Sequence, residues 1–326
     1  VYDLHATYAG ERITLAGPRH TLRFKTNSRE TRINHTIVWL NAPVVQARGR
    51  WALDSTDVTQ VVDPILRPQL YLRGYRGRLV LLDPGHGGKD TGAIGASGVM
   101  EKDLALDIAK RVRALLVNTG IRTALTRDND RFIELDARAA LIGTHRADVF
   151  VSIHLNAASD KTARGVETYI LPALGYQSTH AGGGPAGRGA PLNGHRHAAA
   201  NAVLGHAIQR RLRLQSDLPD RGLRYAHYAV LKQATCPAAL VECGFLSNAM
   251  DEAFVRQAAG RQQIAEAIAE GIRDYLRAVA AAQPSPASPP APAPRPAPTD
   301  PRAPTPAPVP AARRAPAPPT PSAPPA

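Results

Sequence analysis

From Leu79 to Ala281 the sequence alternates between strand-like and helix-like segments, and no other feature limits the fold as strongly. The strand-like segments are "RLVLLD", "IRTALT", "ADVFVSIHL", "GVETYIL", "YAVLK" and "AALVECGF". The helix-like segments are "KDLALDIAKRVRALLVNTG", "ELDARAALIGTHR", "HAAANAVLGHAIQRRLRL" and "RQQIAEAIAEGIRDYLRAVA". Such alternation is typical of βα units, so the sequence predicts an α/β fold with an open, twisted, mostly parallel sheet flanked by helices.

Two regions lie outside this main domain, which is predicted to span residues 77–281. Residues 1–72 contain short alternating runs such as "RITLAG" and "TLRFKT" and predict a small β-rich module that binds a partner or serves as a spacer. Ser55 is predicted to cap a short helix in this region. Residues 284–326 are almost entirely Pro, Ala, Ser, Thr and Arg, which predicts a disordered tail.

The composition narrows the choice of partners. The chain of 326 residues has a net charge of +13, which favours an anionic partner. Aromatic residues make up only 5% and no basic stripe is interleaved with them, so nucleic acid is not expected. No apolar run approaches the ~20 residues that span a bilayer. Cys236 and Cys243 flank a predicted strand and lie about 20 Å apart in an extended chain, so free thiols are expected.

The stretch "LLDPGHGGKDTGA" places His86 among glycines directly after a predicted strand. A P-loop would require Ser or Thr after Lys89, but Asp90 stands there with a charge that would repel phosphate. The dinucleotide fingerprint would require a glycine at the position of Asp90, and no long helix begins until after Met100. Both phosphate-binding interpretations are therefore unfavourable.

A metal site is the better interpretation of the same stretch. His86 and His154 follow or end predicted strands, Glu242 lies near the end of another, and Glu101 precedes a helix, so all four are expected at one edge of the sheet. Two histidines and one glutamate would leave a coordination position open for water, as in catalytic zinc sites. Spacing alone does not establish this site, because an acidic residue such as Glu101 also stabilises a helix start through the helix dipole.

Several motifs appear in the order of a known family: "LLDPGHGGKDTGAIG", "VMEKDLALDIAKRV", "TALTRDND", "ELDARAALIG", "VSIHLNA", "GVETYIL" and "AVLKQATCPAALVECGFLSN". Through them residues 77–278 resemble the N-acetylmuramoyl-L-alanine amidase type 3 family, zinc enzymes that trim bacterial peptidoglycan. The resemblance implies that His86, Glu101 and His154 bind Zn²⁺ and that Glu242 is the catalytic carboxylate. Residues 1–72 loosely resemble the copper amine oxidase N-terminal-like module.

The substrate contacts are less constrained. Asn156 would point to the same side of its strand as His154 and orient substrate by hydrogen bonds. The family's segment matching His227 lies along the cleft, so this side chain is a candidate to polarise the carbonyl or hold substrate. Arg221, with Arg127 and Arg138, could pair with stem-peptide or muramyl carboxylates, although structural ion pairs would explain these arginines equally well.

The expected function is zinc-dependent hydrolysis of the amide bond between N-acetylmuramic acid and L-alanine in peptidoglycan. Two alternatives stay open: a zinc peptidase that cuts within the stem peptide, and a non-catalytic peptidoglycan-binding protein. We expect an exported, monomeric protein of the periplasm or cell envelope without a transmembrane segment, and the sequence names no activator protein. Some family members carry an inserted helix that covers the zinc, whereas "HAGGGPAGRGAPLNGH" in this interval predicts an open site.

Overall fold

The computed structural model describes residues 2–184, 187 and 189–284. The predicted disordered tail lies outside the described residues from position 285 onward. In the described part of the chain, no helix is long and apolar enough to cross a membrane. Cys236 and Cys243 are both buried free thiols, which confirms the prediction for the two cysteines.

Among the described residues, eleven strands form one mixed sheet and two more form a separate hairpin. The strands are β1 (His5–Ala9), β2 (Arg12–Ala16), β3 (Thr21–Lys25), β4 (Glu30–Ile33), β5 (Thr36–Trp39), β6 (Val45–Ala47), β7 (Arg50–Ala52), β8 (Leu79–Pro84), β9 (Arg122–Leu125), β10 (Val149–Asn156), β11 (Val166–Ile170), β12 (Asp220–Tyr225) and β13 (Ala238–Phe245). The sheet order is β1-β2-β3-β4-β5-β12-β11-β13-β10-β8-β9. Its second half is parallel except between β11 and β13, which confirms the predicted α/β class.

Helices cover both faces of the second half of the sheet. They are α1 (Ser55–Asp57), α2 (Asp63–Leu66), α3 (Pro68–Tyr71), α4 (Glu101–Val117), α5 (Leu135–His145), α6 (Ala198–Gln215), α7 (Ala229–Gln233), α8 (Ala249–Arg256) and α9 (Ala258–Ala282), and a π-helical segment, Val58–Val62, joins α1 to α2. One face packs against α4, α6 and α9, where Ile108, Leu204 and Ile268 are fully buried. The opposite face, here called the α5 face, packs against α5 and α7 through Ile142 and Leu231.

The β-rich region predicted for residues 1–72 is confirmed, and its strands continue the main sheet. β1 to β5 form an antiparallel meander, and β5 pairs in parallel with β12, where Val38 lies opposite Leu223. Phe24 and Ile33 belong to the same buried cluster as the residues of α6 and α9. The N-terminal strands and the second half of the sheet therefore share one hydrophobic core.

The structure differs from the sequence-based expectations in four places. "YAVLK" was predicted as a strand, but residues 229–233 form α7, because a short apolar run fits either element. β12, with the charge-rich sequence "DRGLRY", and α8 were not predicted. Ser55 is the first residue of α1 and not its cap; the Asp54 side chain accepts the Thr56 N–H bond at 2.8 Å instead.

Candidate metal and catalytic site

His86 lies in the turn that follows β8 and has a left-handed backbone conformation, with φ of 58°. Gly87 and Gly88 after it have φ values of 131° and 57°. Glycine adopts such values without the steric cost of a Cβ, whereas other residues in this region are uncommon and are found at functional sites. The glycines of "GHGG" therefore allow the sharp turn that aims His86 back at the sheet edge.

Two other glycines leave room for the functional side chains. A Cβ on Gly85 would lie 2.3 Å from Cε1 of His154. A Cβ on Gly92 would lie 2.5 Å from Oε2 of Glu101 and 2.6 Å from Cδ2 of His86. No real Cβ contact is that short, so both positions require glycine for the three side chains to meet.

Side chains from three separate elements converge at this edge: His86 after β8, Glu101 at the first position of α4, and His154 in β10. Oε1 of Glu101 lies 3.0 Å from Nε2 of His86 and 2.8 Å from Nδ1 of His154. One ligand atom from each residue can be chosen so that all three lie within 4.8 Å of one another. The structure thus brings together the His, Glu and His that the sequence predicted as metal ligands.

The electrostatics of Glu101 suit a cation. Burial would raise the pKa of its carboxyl, but hydrogen bonds from His154 and His86 hold that pKa well below its usual value. Its other oxygen accepts the Ala93 N–H bond at 2.8 Å. One carboxylate and two imidazoles form a donor set that zinc prefers, with an open position left for water or substrate.

Asp90 orients His86 from the side away from Glu101. Its Oδ2 lies 2.8 Å from Nδ1 of the imidazole, which fixes the ring and leaves Nε2 directed at Glu101. A carboxylate in this position is a usual partner of a metal-binding histidine and raises its basicity. In the sequence, Asp90 was notable only as an obstacle to phosphate binding; its HxxxD spacing from His86 was the signal for this role.

Glu242 lies on the α5 face beside the cluster. In the sheet register it is opposite His154 on β10 and opposite Glu167 on β11, and side chains of such partners project from the same face. Its Oε2 is buried and has no hydrogen-bond partner among the described residues. Burial, then the nearby charges of Glu101 and Glu167, raise the pKa of the Glu242 carboxyl well above its usual value.

A cavity of about 600 Å³ joins these groups. Its polar lining includes the three candidate ligands and Glu242. Much of its apolar lining comes from the start of α5 and from α7 with the residues before them, and includes Phe132, Ile133, Leu135, Tyr228 and Val230. The cavity is large enough for a peptide-sized substrate, and its apolar walls and few polar groups are typical of a binding cleft.

A buried ion pair supports the floor of this cavity. Asp83, at the end of β8, pairs with Arg138 of α5 at 2.8 Å and also accepts hydrogen bonds from Thr126 and Ser152. Arg138 donates in turn to the carbonyl of Pro84, and Arg127 donates to the carbonyl of Gly85. Both arginines therefore hold the "PGH" turn in place and are structural in this chain.

The three predicted substrate-binding residues lie at different places relative to the cavity. Asn156 lines the cavity, as expected for a side chain near His154. His227 is exposed outside the cavity lining, and its Nδ1 lies 3.2 Å from Oγ of Ser178. Arg221 pairs with the buried Glu167 on the α5 face. Their roles in substrate binding stay predictions.

The described residues of the glycine-rich interval lie against the N-terminal strands. The N–H of Gly184 donates to the carbonyl of Asn41 at 3.1 Å, and Asn41 Oδ1 accepts the N–H of Ala173 at 3.2 Å. No described residue between 171 and 197 is part of the cavity lining.

Comparison with known proteins agrees with this geometry. The family model described as N-acetylmuramoyl-L-alanine amidase, Amidase_3, matches residues 80–274. The chain is 37% identical to the N-acetylmuramoyl-L-alanine amidase AmiA of Escherichia coli over 220 residues, which cover 61% of this chain and 76% of AmiA. It is 36% identical to LytC of Bacillus subtilis over 201 residues, which cover 62% of this chain but only 36% of LytC.

A solved structure shows the same fold. The amidase AmiC2 of Nostoc punctiforme matches 63% of this chain and 99% of its own, with a TM-score of 0.52 and 33% identity. The fold and the His, Glu and His cluster define an amide hydrolase of the cell-wall type. The chain belongs to the N-acetylmuramoyl-L-alanine amidase family Amidase_3. Residues 1–79 lie outside the matched region, and the resemblance of residues 1–72 to the copper amine oxidase N-terminal-like module stays a prediction.

Proposed function

We propose that this protein is a zinc-dependent enzyme that hydrolyses the amide bond between N-acetylmuramic acid and the L-alanine of the stem peptide. The observation that carries the proposal is the convergence of His86, Glu101 and His154 beside the buried, unpartnered oxygen of Glu242. Family membership supports the peptidoglycan substrate.

His86, Glu101 and His154 would hold the metal, with Asp90 fixing the ring of His86. Bound Zn²⁺ would supply Lewis acidity, polarising the scissile carbonyl and lowering the pKa of the attacking water. Because the Asp90 carboxylate holds Nδ1 of His86, Nε2 is the nitrogen left to bind the metal. Ala93 and Leu155 donate hydrogen bonds from their backbone N–H groups to Glu101, and these hold its carboxylate in one orientation.

Glu242 would move the protons of the reaction. Its Oε2 faces no protein donor, so it is free to accept a proton from the attacking water and to deliver it to the leaving L-alanine nitrogen. Because burial and the nearby carboxylates raise the pKa of this carboxyl, its ionised form is a stronger base for the first transfer. The apolar walls formed by Phe132, Ile133 and Val230 would hold the peptide and limit access of bulk water.

Localisation and assembly are part of the same proposal. The substrate is a cell-wall polymer, so we infer that the protein works in the periplasm or cell envelope. We also infer that it works as a monomer. The net charge of +13 favours contact with an anionic wall. Peptidoglycan, and not nucleic acid, is the expected partner.

Product analysis by mass spectrometry tests this function against its two alternatives. Purified protein incubated with peptidoglycan should release intact stem peptides with a free L-alanine amine. A peptidase would release shortened peptides, and a binding protein would release none. Activity should disappear with a chelator and return with Zn²⁺ but not with Ca²⁺, because two imidazole ligands favour zinc over a cation that prefers oxygen.

A further inference from the structure

The face of the sheet that carries Glu242 extends far beyond the catalytic cavity. Glu242 lies opposite Glu167, and Glu167 lies opposite Gly222 on β12. A Cβ on Gly222 would touch Ile37 of β5, and Ile37 lies opposite Arg32 on β4. Residues opposite one another project from the same face, so a single row leads from the catalytic carboxylate to the N-terminal strands.

Two cations lie near the far end of this row, which continues to Thr14 of β2 and Thr7 of β1. Arg32 lies opposite Arg23 of β3. Arg23 is therefore five strand-to-strand steps from Glu242, or about 24 Å at ~4.8 Å per step. In the neighbouring row Tyr169 lies opposite Arg224, Trp39 lies opposite Glu30, and Arg12 lies opposite Lys25, so one exposed carboxylate stands among these cations. The meander of residues 5–39 thus adds a basic extension to the face that carries the catalytic site.

A β-bulge connects the two halves of this surface. Val166 lies opposite Asp220 and Glu167 lies opposite Gly222, so Arg221 is the extra residue on β12. A bulge re-aims a side chain, and here Arg221 reaches Glu167 and lies 4.9 Å from the ring centroid of Phe245 at the end of β13. Half-exposed Arg221 therefore occupies the surface between the cavity and the N-terminal strands.

The charges of the extension are available to a ligand. Arg12, Arg23 and Lys25 are exposed. No described carboxylate lies within 4.0 Å of the guanidinium groups of Arg12 and Arg23, whereas Lys25 pairs at 3.6 Å with exposed Glu11. These residues border a groove of about 660 Å³ on the outer side of the strands.

We propose that this basic face is an extended substrate-binding surface for the stem-peptide carboxylates of the same peptidoglycan strand that enters the catalytic cavity. The inference rests on the proposed function and adds a second contact region to it. Arginine forks match carboxylates in bidentate geometry, and cations on the same sheet face as the cavity would align the polymer along the sheet.

A nucleic acid fits the same face less well. Single-stranded nucleic acids require aromatic rings that are free to stack with bases. In the row of Arg224, Tyr169 is buried, and the Arg224 guanidinium already covers the Trp39 ring at 4.7 Å from the centroid.

Co-sedimentation with insoluble peptidoglycan tests the proposal in the Glu242→Gln protein, in which turnover does not remove the ligand. The test variant adds Arg12→Glu and Arg23→Glu; the matched control adds Lys110→Glu and Arg113→Glu, exposed cations of α4 on the opposite side of the sheet. Both pairs change the net charge equally. The test variant should bind about fivefold more weakly or worse, since two attractive contacts become repulsive, and the control should change less than twofold.

Equal weakening in test and control variants would overturn the proposal, because only net charge would then matter. Melting temperatures of both variants within 2 °C or so of the parent establish that loss of binding is not loss of folding. Co-sedimentation measures binding alone and does not depend on catalysis. If the protein failed to release intact stem peptides in the product analysis, the proposed function would be refuted, but the binding result could still be interpreted.

The chemistry of the ligand is tested by neutralising it. Peptidoglycan whose carboxylates have been coupled to glycinamide should bind the parent protein about as weakly as native peptidoglycan binds the test variant. Undiminished binding to the neutralised polymer would overturn the proposal. A single-stranded DNA that displaces the protein from peptidoglycan at lower concentration than soluble stem peptides do, and whose binding is itself weakened by the Arg12 and Arg23 changes, would assign the face to nucleic acid instead.

Discussion

At the scale of single residues, Glu242 separates catalysis from metal binding. Glu242→Gln keeps the size of the side chain but removes its ability to accept a proton. We expect it to retain zinc and to lose about 10²- to 10⁴-fold in the rate of stem-peptide release. Metal content and initial rates measure the two effects. Glu167→Gln is the matched control, since it neutralises the neighbouring carboxylate on β11; a larger loss of rate there than in Glu242→Gln would contradict the assignment.

His206 of α6 gives a prediction for stability and pH. Burial, opposed in part by the Ile33 carbonyl, lowers the pKa of His206 to about 4, and Arg210, Arg213 and His20 add repulsion. The unfolded chain binds this proton near pH 6.5, so between pH 6.5 and 4 it holds more protons than the folded chain, and stability falls as pH falls through that window.

The size of this effect is about 3 kcal/mol for a shift of roughly two to three pKa units. His206→Gln keeps a donor for the Ile33 carbonyl and removes the titration. Urea unfolding at pH 7 and pH 4.5 should therefore show a smaller loss of stability in the variant than in the parent. Identical losses in both proteins would refute the role of His206.

At the scale of elements, the turn after β8 is predicted to need glycine at position 85 for metal binding more than for folding. Gly85→Ala would place a Cβ against the His154 ring, which must then move away from Glu101. We expect at least a tenfold loss of zinc affinity, as for other changes that misplace a ligand. Gly143→Ala in α5 is the control, because nothing lies within 4 Å of the added Cβ. Zinc affinity should be unchanged in this variant, and the stability of the helix should rise.

The elements also show what the sequence could reveal. β8, β10, β13 and the long helices follow apolar periodicity, and the motifs around His86, His154 and Glu242 lie on or beside them, so the convergence of these side chains at one sheet edge was predictable. β12 was missed because "DRGLRY" lacks an alternating apolar pattern, and the bulge that re-aims Arg221 depends on a register with β11 that only the folded sheet defines. Non-local pairing, not local propensity, decides such features.

At the scale of the whole molecule, the shared core predicts that residues 2–283 unfold as one unit. The described residues up to Gln283 form one compact body, and the pairing of β5 with β12 joins the N-terminal strands to the catalytic half. The two tryptophans, Trp39 and Trp51, both lie in the N-terminal region, and Trp39 also contacts β12 through the Arg221 carbonyl and the Arg224 guanidinium. Their fluorescence therefore reports the N-terminal strands and their junction with β12, whereas residual amidase activity reports the catalytic half.

The two signals should therefore change at the same urea concentration. Phe24→Ala, which removes a ring from the shared core, should lower both midpoints together, with a loss of about 3–5 kcal/mol in the free energy of unfolding. Tyr8→Ala is the control, because this ring is largely exposed on the edge strand and its removal should shift neither midpoint appreciably. If Phe24→Ala moved the fluorescence transition and left the activity transition in place, the N-terminal strands would be an independent module and the continuous sheet would not unfold cooperatively.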